Sequence, residues 1–335
     1  MSARVSRSNA ASRIAAFVAC ALAAILIAAP WWGSIATERL IGEFMVYLAL
    51  ATLWNLLAGY TGLVSVGQQA FVGIGAYTLI SLALLAGWNP IFAVPIAGLV
   101  AAIIALPIGK LVFRLHGAYF AIGTWVIAEA IRLFVAQITV LGGGSGISLP
   151  TDTMKMVGET KFWREATIYW LALALGLGAL ALVYGLLRSR LGLALTAIRD
   201  NELASESLGV RIERIKFTVY VLVAGMTGMV GSLIELQKVR MSPDAGFSVN
   251  DWTAFVIFIV VIGGIGTIEG PIIGTLLYFV LREFLADLGS IYLMILGTLA
   301  IVVMLFAPKG IWGVVKDRFG VTLFPTSYHV KSGDD

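Results

Sequence analysis

Charge is scarce in this 335-residue chain: Asp, Glu, Lys and Arg together make up 13% of it, about half the share of an ordinary soluble domain. So little charge cannot cover a soluble globule of this length, which excludes a soluble enzyme and a disordered chain. The single cysteine, Cys20, excludes an intrachain disulfide scaffold. Two histidines, His116 and His329, leave no Cys/His cluster for a metal. No Gly-Lys-Ser/Thr follows any glycine-rich stretch, so the chain has no nucleotide-binding P-loop of its own. The net charge of +4 is modest and gives no reason to invoke nucleic acid.

What is abundant is apolar sequence. Hydrophobic residues make up 59% of the chain and the mean hydropathy is +0.95. Apolar runs stand at about 14–32, 41–58, 62–86, 90–113, 117–138, 166–187, 217–238, 252–268, 271–288 and 290–307. A helical span takes about 20 residues. The expected fold is therefore an all-α polytopic membrane protein with about ten transmembrane or re-entrant helices, or eight if two runs are broken halves. Continuous runs, without polar–apolar alternation, exclude a β-barrel. The first run is too long for a signal-peptide core and lacks a small-residue cleavage site before Trp31, so it is expected to stay.

Basic residues set the expected orientation. With ten crossings, an N-tail over 1–13 and a C-tail over 313–335 fall on the same side as the loop 188–216. Arg4, Arg7, Arg13, Lys110, Arg114, the six basic residues from Arg188 to Lys216, Lys309, Lys316, Arg318 and Lys331 all lie there. The other side holds only Arg39, Lys155, Lys161, Arg164, Lys238 and Arg240. Both termini are thus expected in the cytoplasm, around a membrane domain over 14–312.

Two internal loops are long. The outer one, 139–165, opens with Leu141-Gly142-Gly143-Gly144-Ser145-Gly146-Ile147. Its glycines permit positive φ, and their amides can form an anion nest suited to a carboxylate, or serve as a plain connector. The inner loop, 188–216, reads as short amphipathic helices with a break near Asn201. Asp200 or Asn201 can cap the second helix, Glu202 suits its first turn, and Gly209 suits its end. Such a knob fits a partner protein's grip, a solvated connector, or a segment lying on headgroups.

Two glycine-rich segments interrupt the spans, one in each half: Leu57 to Gly75, and Val261 to Gly274. Paired interruptions of this kind point to related halves with discontinuous helices, and single glycines also serve close packing. Gln68 and Gln69 stand in the first. An amide in hydrocarbon needs a partner or water, so at least one should face the protein interior or a pathway. Glu129, Arg132, Glu235, Arg282 and Glu283 are the other intramembrane charges. Glu129 is the deepest, and can either serve function or pair with Arg132 one turn away.

Several motifs in order give the chain a family likeness. They are Asn55-Leu56-Leu57-Ala58-Gly59-Tyr60-Thr61-Gly62-Leu63-Val64-Ser65, Gly67-Gln68, Gly73-Ile74-Gly75-Ala76-Tyr77, Gly117-Ala118-Tyr119-Phe120-Ala121-Ile122, the Gly143-Gly144-Ser145 loop, Ala197-Ile198-Arg199-Asp200-Asn201-Glu202, Gly263-Gly264-Ile265-Gly266-Thr267 and Phe306-Ala307-Pro308-Lys309-Gly310. Over roughly 40–312 the chain resembles LivM-type permease subunits of branched-chain amino-acid ABC importers.

The resemblance implies a bacterial inner-membrane subunit, set in lipid, that pairs with a LivH-like permease. Two cytoplasmic ATP-binding subunits would carry the ATP and Mg, with no cofactor in this chain, and a periplasmic binding protein would deliver the solute. It assigns Arg199, Asp200, Asn201, Glu202, Ala204 and Gly209 to coupling with the ATPase. The substrate path or its gating is expected at Gln68, Gln69, Tyr119, Glu129, Gly143, Gly144, Ser145, Gly263, Gly264 and Gly266. The family's trailing Ile-x-Leu-Pro after the coupling segment is missing here. His116 stands where an arginine is common, and Gln68 where a histidine is often seen. Relatives carry urea, short amides or aromatic acids as well as branched-chain amino acids. A stand-alone secondary transporter or channel is the rival from another class; a membrane enzyme lacks the clustered His, Asp or Cys it would need.

Overall fold

The computed structural model describes residues 4–6, 10–285, 288–289, 291–319, 323–324 and 329–331. A short strand β1 (Arg4–Ser6) precedes α1 (Ala10–Ile27) and the single turn α2 (Ala29–Trp32). Ser34 then caps α3 (Ile35–Asn55), its hydroxyl accepting from the Thr37 amide at 3.2 Å. A π-helical turn over Leu56–Tyr60 extends α3. The chain is unwound over 61–67 before α4 (Gln68–Leu85). Asn89 and Pro90 start α5 (Pro90–Val112), which also holds Pro95 and Pro107. Gly117, at φ +57°, turns the chain into α6 (Ala118–Ala136).

Two 3-10 turns, Thr139–Leu141 and Gly143–Ser145, lead to β2 (Ile147–Ser148) and α7 (Thr151–Lys155). Thr160 caps α8 (Lys161–Arg188). α9 (Arg190–Asp200) and α10 (Glu202–Ser207) follow, then α11 (Ile212–Lys238). β3 (Arg240–Met241), α12 (Pro243–Gly246) and a π-helical turn Asn250–Ala254 lead to α13 (Phe255–Gly263). α14 (Glu269–Leu285), α15 (Ile291–Phe306), α16 (Gly310–Phe319) and β4 (His329–Lys331) complete the described residues. β4 pairs antiparallel with β1, so the two ends of the chain meet.

Among the described residues, eight segments are long and apolar enough to cross a membrane: 35–60, 68–85, 90–112, 118–136, 161–188, 212–238, 243–263 and 291–319. α1 touches α8, and α14 packs against α3 and α13. Tyr169 and Trp170 of α8 donate to the last carbonyls of α1, at Leu26 and Ile27. The Arg282 guanidinium on α14 pairs with Glu43 on α3. The all-α polytopic architecture expected from the apolar runs is therefore the one observed, and the eight candidate spans match the lower of the two expected counts.

The loops gather at two ends. At one end Lys216 meets Glu202 and Arg199 reaches Gly266. At the other, Asn89 bonds the Met156 carbonyl, Arg39 pairs with Glu165, and β2 pairs with β3. We call them the knob end and the loop end.

α11 lies at the centre, against α4 and α5. In hydrocarbon, apolar side chains gain little by leaving lipid, so helices associate by close packing over small residues. A methyl on Gly75 of α4 would overlap the Gly228 carbonyl, and one on Gly231 would overlap the Val72 carbonyl. Gly98 of α5 packs against Met229 in the same way. The outward faces carry exposed Phe92, Trp125, Phe134, Phe284 and Leu305, an apolar belt suited to lipid or to a neighbouring membrane chain.

The seam predicts a contrast between two glycines. Gly75→Leu should lower the midpoint of thermal unfolding in detergent, with an overpacking cost of roughly 1–3 kcal/mol. Gly178→Leu should leave it unchanged, because nothing lies within 4 Å of a methyl there. Equal midpoints for the two variants would reject the close-packed seam.

Candidate functional site

At the knob end the inner loop forms two short helices, as its amphipathic pattern implied. Asn201 is extended, at φ −160° and ψ 108°, and separates them. Its Oδ1 accepts the Ala204 amide at 3.0 Å and caps α10. Gly209, at φ +83°, closes the helix, and the Val210 amide turns back to the Ser205 carbonyl at 3.1 Å. The Lys216 ammonium on α11 donates to both Glu202 oxygens, at 2.8 and 2.9 Å, and pins the knob to a long helix. Asp200 meets only its neighbour Arg199, at 3.4 Å. Leu203 and Leu208 stand 78% and 83% exposed on this pinned knob. They are the candidate contact surface of the knob.

Arg199 points inward from the knob. Its guanidinium lies 5.6 Å over the Tyr60 ring, and its Nη1 is 3.4 Å from the Gly266 carbonyl. Gly266 belongs to the turn between α13 and α14, where Gly264 and Gly266 adopt φ +132° and +74°, conformations that L side chains rarely take. Asn55, at the end of α3, is buried and bridges that turn. Its Nδ2 donates to the Thr267 carbonyl at 2.7 Å, and its Oδ1 accepts the Gly266 amide at 2.8 Å. A methyl on Gly59 would stand only 2.7 Å from the Gly266 Cα. Gly263 has no room for a side chain against the Gly270 carbonyl. The two glycine-rich segments therefore touch each other at the knob end, through Gly59 and Gly266.

From there the first segment re-enters the bundle unwound. Its freed backbone groups are taken up by side chains, which a chain inside a membrane requires. The Trp54 indole donates to the Ser65 carbonyl at 2.8 Å. The Val66 amide donates to the Thr124 hydroxyl at 3.1 Å, and the Gly67 amide to Ser65 Oγ at 3.2 Å. α4 then starts inside the protein. Gln68 donates to Thr227 of α11 at 2.8 Å, and Gln69 accepts from the hydroxyl of Thr253 in the second π-helical turn. Both glutamines are buried, so they tie the unwound segment to two other spans.

The remaining candidates lie elsewhere. Glu129 is part-exposed and makes the expected ion pair, taking the Arg132 Nε at 2.9 and 3.0 Å. Arg132 also pairs with Asp244. Tyr119 is 74% exposed on the outer face of α6, away from the glutamines. In the glycine loop the amides of Gly142, Gly143 and Gly146 donate to Thr139, Ile138 and Gly143 carbonyls. These amides are taken up within the loop and do not face an anion; Gly144 and Ser145 form its exposed tip. Among the described residues no group of His, Cys, Asp and Glu is placed to hold a metal.

Sequence reasoning passed over Asn55, Thr227 and Thr253 as working residues. The cost argument applied to Gln68, that a side-chain amide in an apolar run needs a partner, applies equally to Asn55. The threonines carry no such signal, because they satisfy their own helix as readily as a neighbour.

A family model described as "Branched-chain amino acid transport system / permease component" matches residues 36–307. The chain is 32% identical over 313 residues to the high-affinity branched-chain amino acid transport system permease protein LivM of Escherichia coli K12, covering 87% of this chain and 73% of that one. It is 23% identical to the probable branched-chain amino acid transport permease protein LivM of Methanocaldococcus jannaschii, over 80% of this chain and 90% of that one. It is also 25% identical to the permease protein LivH of Salmonella typhimurium, over 80% and 91%. No solved structure matches it. The matched stretch takes in the unwound span, the glycine junction and the knob alike, and the chain belongs to the permease-component family of branched-chain amino acid transport systems.

Proposed function

We propose that this chain is a transmembrane permease subunit of an ATP-driven importer that carries branched-chain amino acids across a bacterial inner membrane. The observation that carries the reading is the line of contact from an exposed knob, through Arg199, to a glycine junction that joins two interrupted spans. A channel needs no such knob. A subunit driven by separate motor chains does.

On this reading the knob end is cytoplasmic, supported by its excess of Lys and Arg and by the pairing of β1 with β4, which brings both termini together. Two ATP-binding subunits grip the knob at Leu203 and Leu208. Their closure on ATP displaces α9 and α10. Glu202–Lys216 and Arg199–Gly266 pass the displacement to α11 and to the α13–α14 turn, and Asn55 passes it to α3. The unwound segment 61–67 takes up the change, because its side-chain hydrogen bonds can exchange partners without breaking a helix. The path opens beside α4, whose N-terminus lies inside the bundle and carries a positive dipole end suited to a carboxylate. A LivH-like chain covers part of the apolar belt, and an external binding protein meets the glycine loop at the loop end. No covalent step occurs in this chain.

Two measurements on the assembled importer in proteoliposomes test the reading. Asn55→Ala leaves the Gly266 amide and Thr267 carbonyl unpaired, a cost of about 1–3 kcal/mol. It should keep ATPase activity while uptake per ATP falls about tenfold, the factor that ~1.4 kcal/mol sets. Glu202→Lys, which replaces the ion pair to Lys216 with a repulsion, should uncouple in the same sense. Normal uptake in both variants, or uptake by the chain alone under a proton or sodium gradient, would reject the coupling role.

Gly144→Val tests the loop end. Gly144 has open space around it and no positive φ, so valine should fold normally. Uptake dependent on the binding protein should fall several-fold, with basal ATPase activity unchanged. Unaltered uptake would make the loop a plain connector.

A further inference from the structure

A cavity of about 230 Å³ opens at the loop end, between α3, α8 and α11. Two of its three carboxylates are held by arginines, and the third is not. Glu165 is held by the Arg39 guanidinium at 2.6 and 3.1 Å. Glu43 is held by Arg282 at 2.7 and 2.9 Å. Glu38 also lines the cavity and has no such cation. It is only 4% exposed, and its Oε2 is buried with no hydrogen-bond partner. At the mouth, the Lys238 ammonium stands 4.7 Å over the Trp252 ring; among the described residues no carboxylate is in ion-pair contact with it, the buried Glu235 one turn back on α11 acting on it only at longer range. Between these two groups the wall is apolar, made by Val46, Ile168 and Ile234 with Trp252.

A buried carboxylate without a partner costs several kcal/mol, which a bound cation removes. A lone cation alone would leave Lys238 unmatched. We propose that this cavity binds a small zwitterion, with its primary ammonium against Glu38, its anionic group toward Lys238 and its aliphatic part on the apolar wall. The volume suits a molecule of amino-acid size, below that of pockets for drug-sized ligands. A free amino acid and the headgroup of phosphatidylethanolamine share this chemistry. The inference rests on the transport reading only for the choice of leucine as the probe.

The test uses the full chain in nanodiscs of phosphatidylcholine, whose quaternary ammonium has no N–H to donate. Calorimetric titration with L-leucine should show saturable binding. Glu38→Gln should weaken it by at least about tenfold. Lys238→Met, at an exposed position, should weaken it several-fold and serves as the second variant if Glu38→Gln folds poorly. Glu159→Gln, on the exposed α7–α8 linker, should leave it unchanged. Absence of leucine binding, with phosphatidylethanolamine retained by the wild-type chain and lost from Glu38→Gln in native mass spectrometry, would assign the same site to a lipid headgroup. If neither ligand depends on Glu38 or Lys238, the proposal is overturned and Glu38 is a structural group. Loss of leucine binding in Glu38→Gln with uptake by the assembled importer intact would sink the site's role in transport while leaving the permease reading standing. Failure of uptake by the wild-type importer with binding intact would do the reverse.

Discussion

A peptide group inside hydrocarbon must find its hydrogen-bond partner within the protein, and several kcal/mol are at stake for each one that does not. That requirement decides where polar side chains occur in this chain. Helices meet it by themselves. The unwound stretch 61–67 cannot, and Trp54, Ser65 and Thr124 satisfy it. The α13–α14 turn cannot either, and Asn55 and Thr267 satisfy it there. Each interruption of a helix is thus matched by a side chain from another element. An interruption so matched is a joint between elements rather than a defect in one.

Glycine makes the joints tight. Where Gly59 meets Gly266, and Gly263 meets Gly270, backbone lies on backbone with no side chain between. Close backbone contact transmits displacement with little slack, because packed interiors are barely compressible. Along the α4–α11 seam the same device holds Gly75 to Gly228 and Gly231 to Val72. The knob touches the turn between α13 and α14 through Arg199, and α11 through Lys216, the contacts that the proposed coupling would use.

Much of this was legible in the sequence. The apolar runs fall on helices, and eight segments among the described residues are long and apolar enough to span. Asn201, Glu202 and Gly209 sit where the capping rules place them, because a cap depends on residues within one turn of itself. The ion pair Glu129–Arg132 was readable for the same local reason. What was not readable is contact between distant segments. Nothing within a few residues of Asn55 reveals that its amide closes on Gly266, 211 positions away. Hydrophobicity said that Gln68 and Gln69 needed partners but not that Thr227 and Thr253 would supply them. The glycine loop's pattern allowed either an anion nest or a connector, and turn formation takes up three of its amides.

The two ends of the bundle are held by different physics. The knob end rests on a buried amide bridge and on glycine contacts, and opening the bridge costs about 1–3 kcal/mol through two unpaired backbone groups. The loop end is laced by ion pairs that are part-exposed to solvent, Arg39–Glu165, Arg132–Asp244 and Arg282–Glu43. Pairs of that kind are each worth only about 0–1 kcal/mol and exchange partners readily. Alternating access requires one end to transmit force while the other rearranges at small cost. The stiff joint lies next to the knob and the exchangeable pairs lie opposite it, around the cavity that contains Glu38. On the proposed reading, a motor acting on the stiff end would therefore express its work at the exchangeable one.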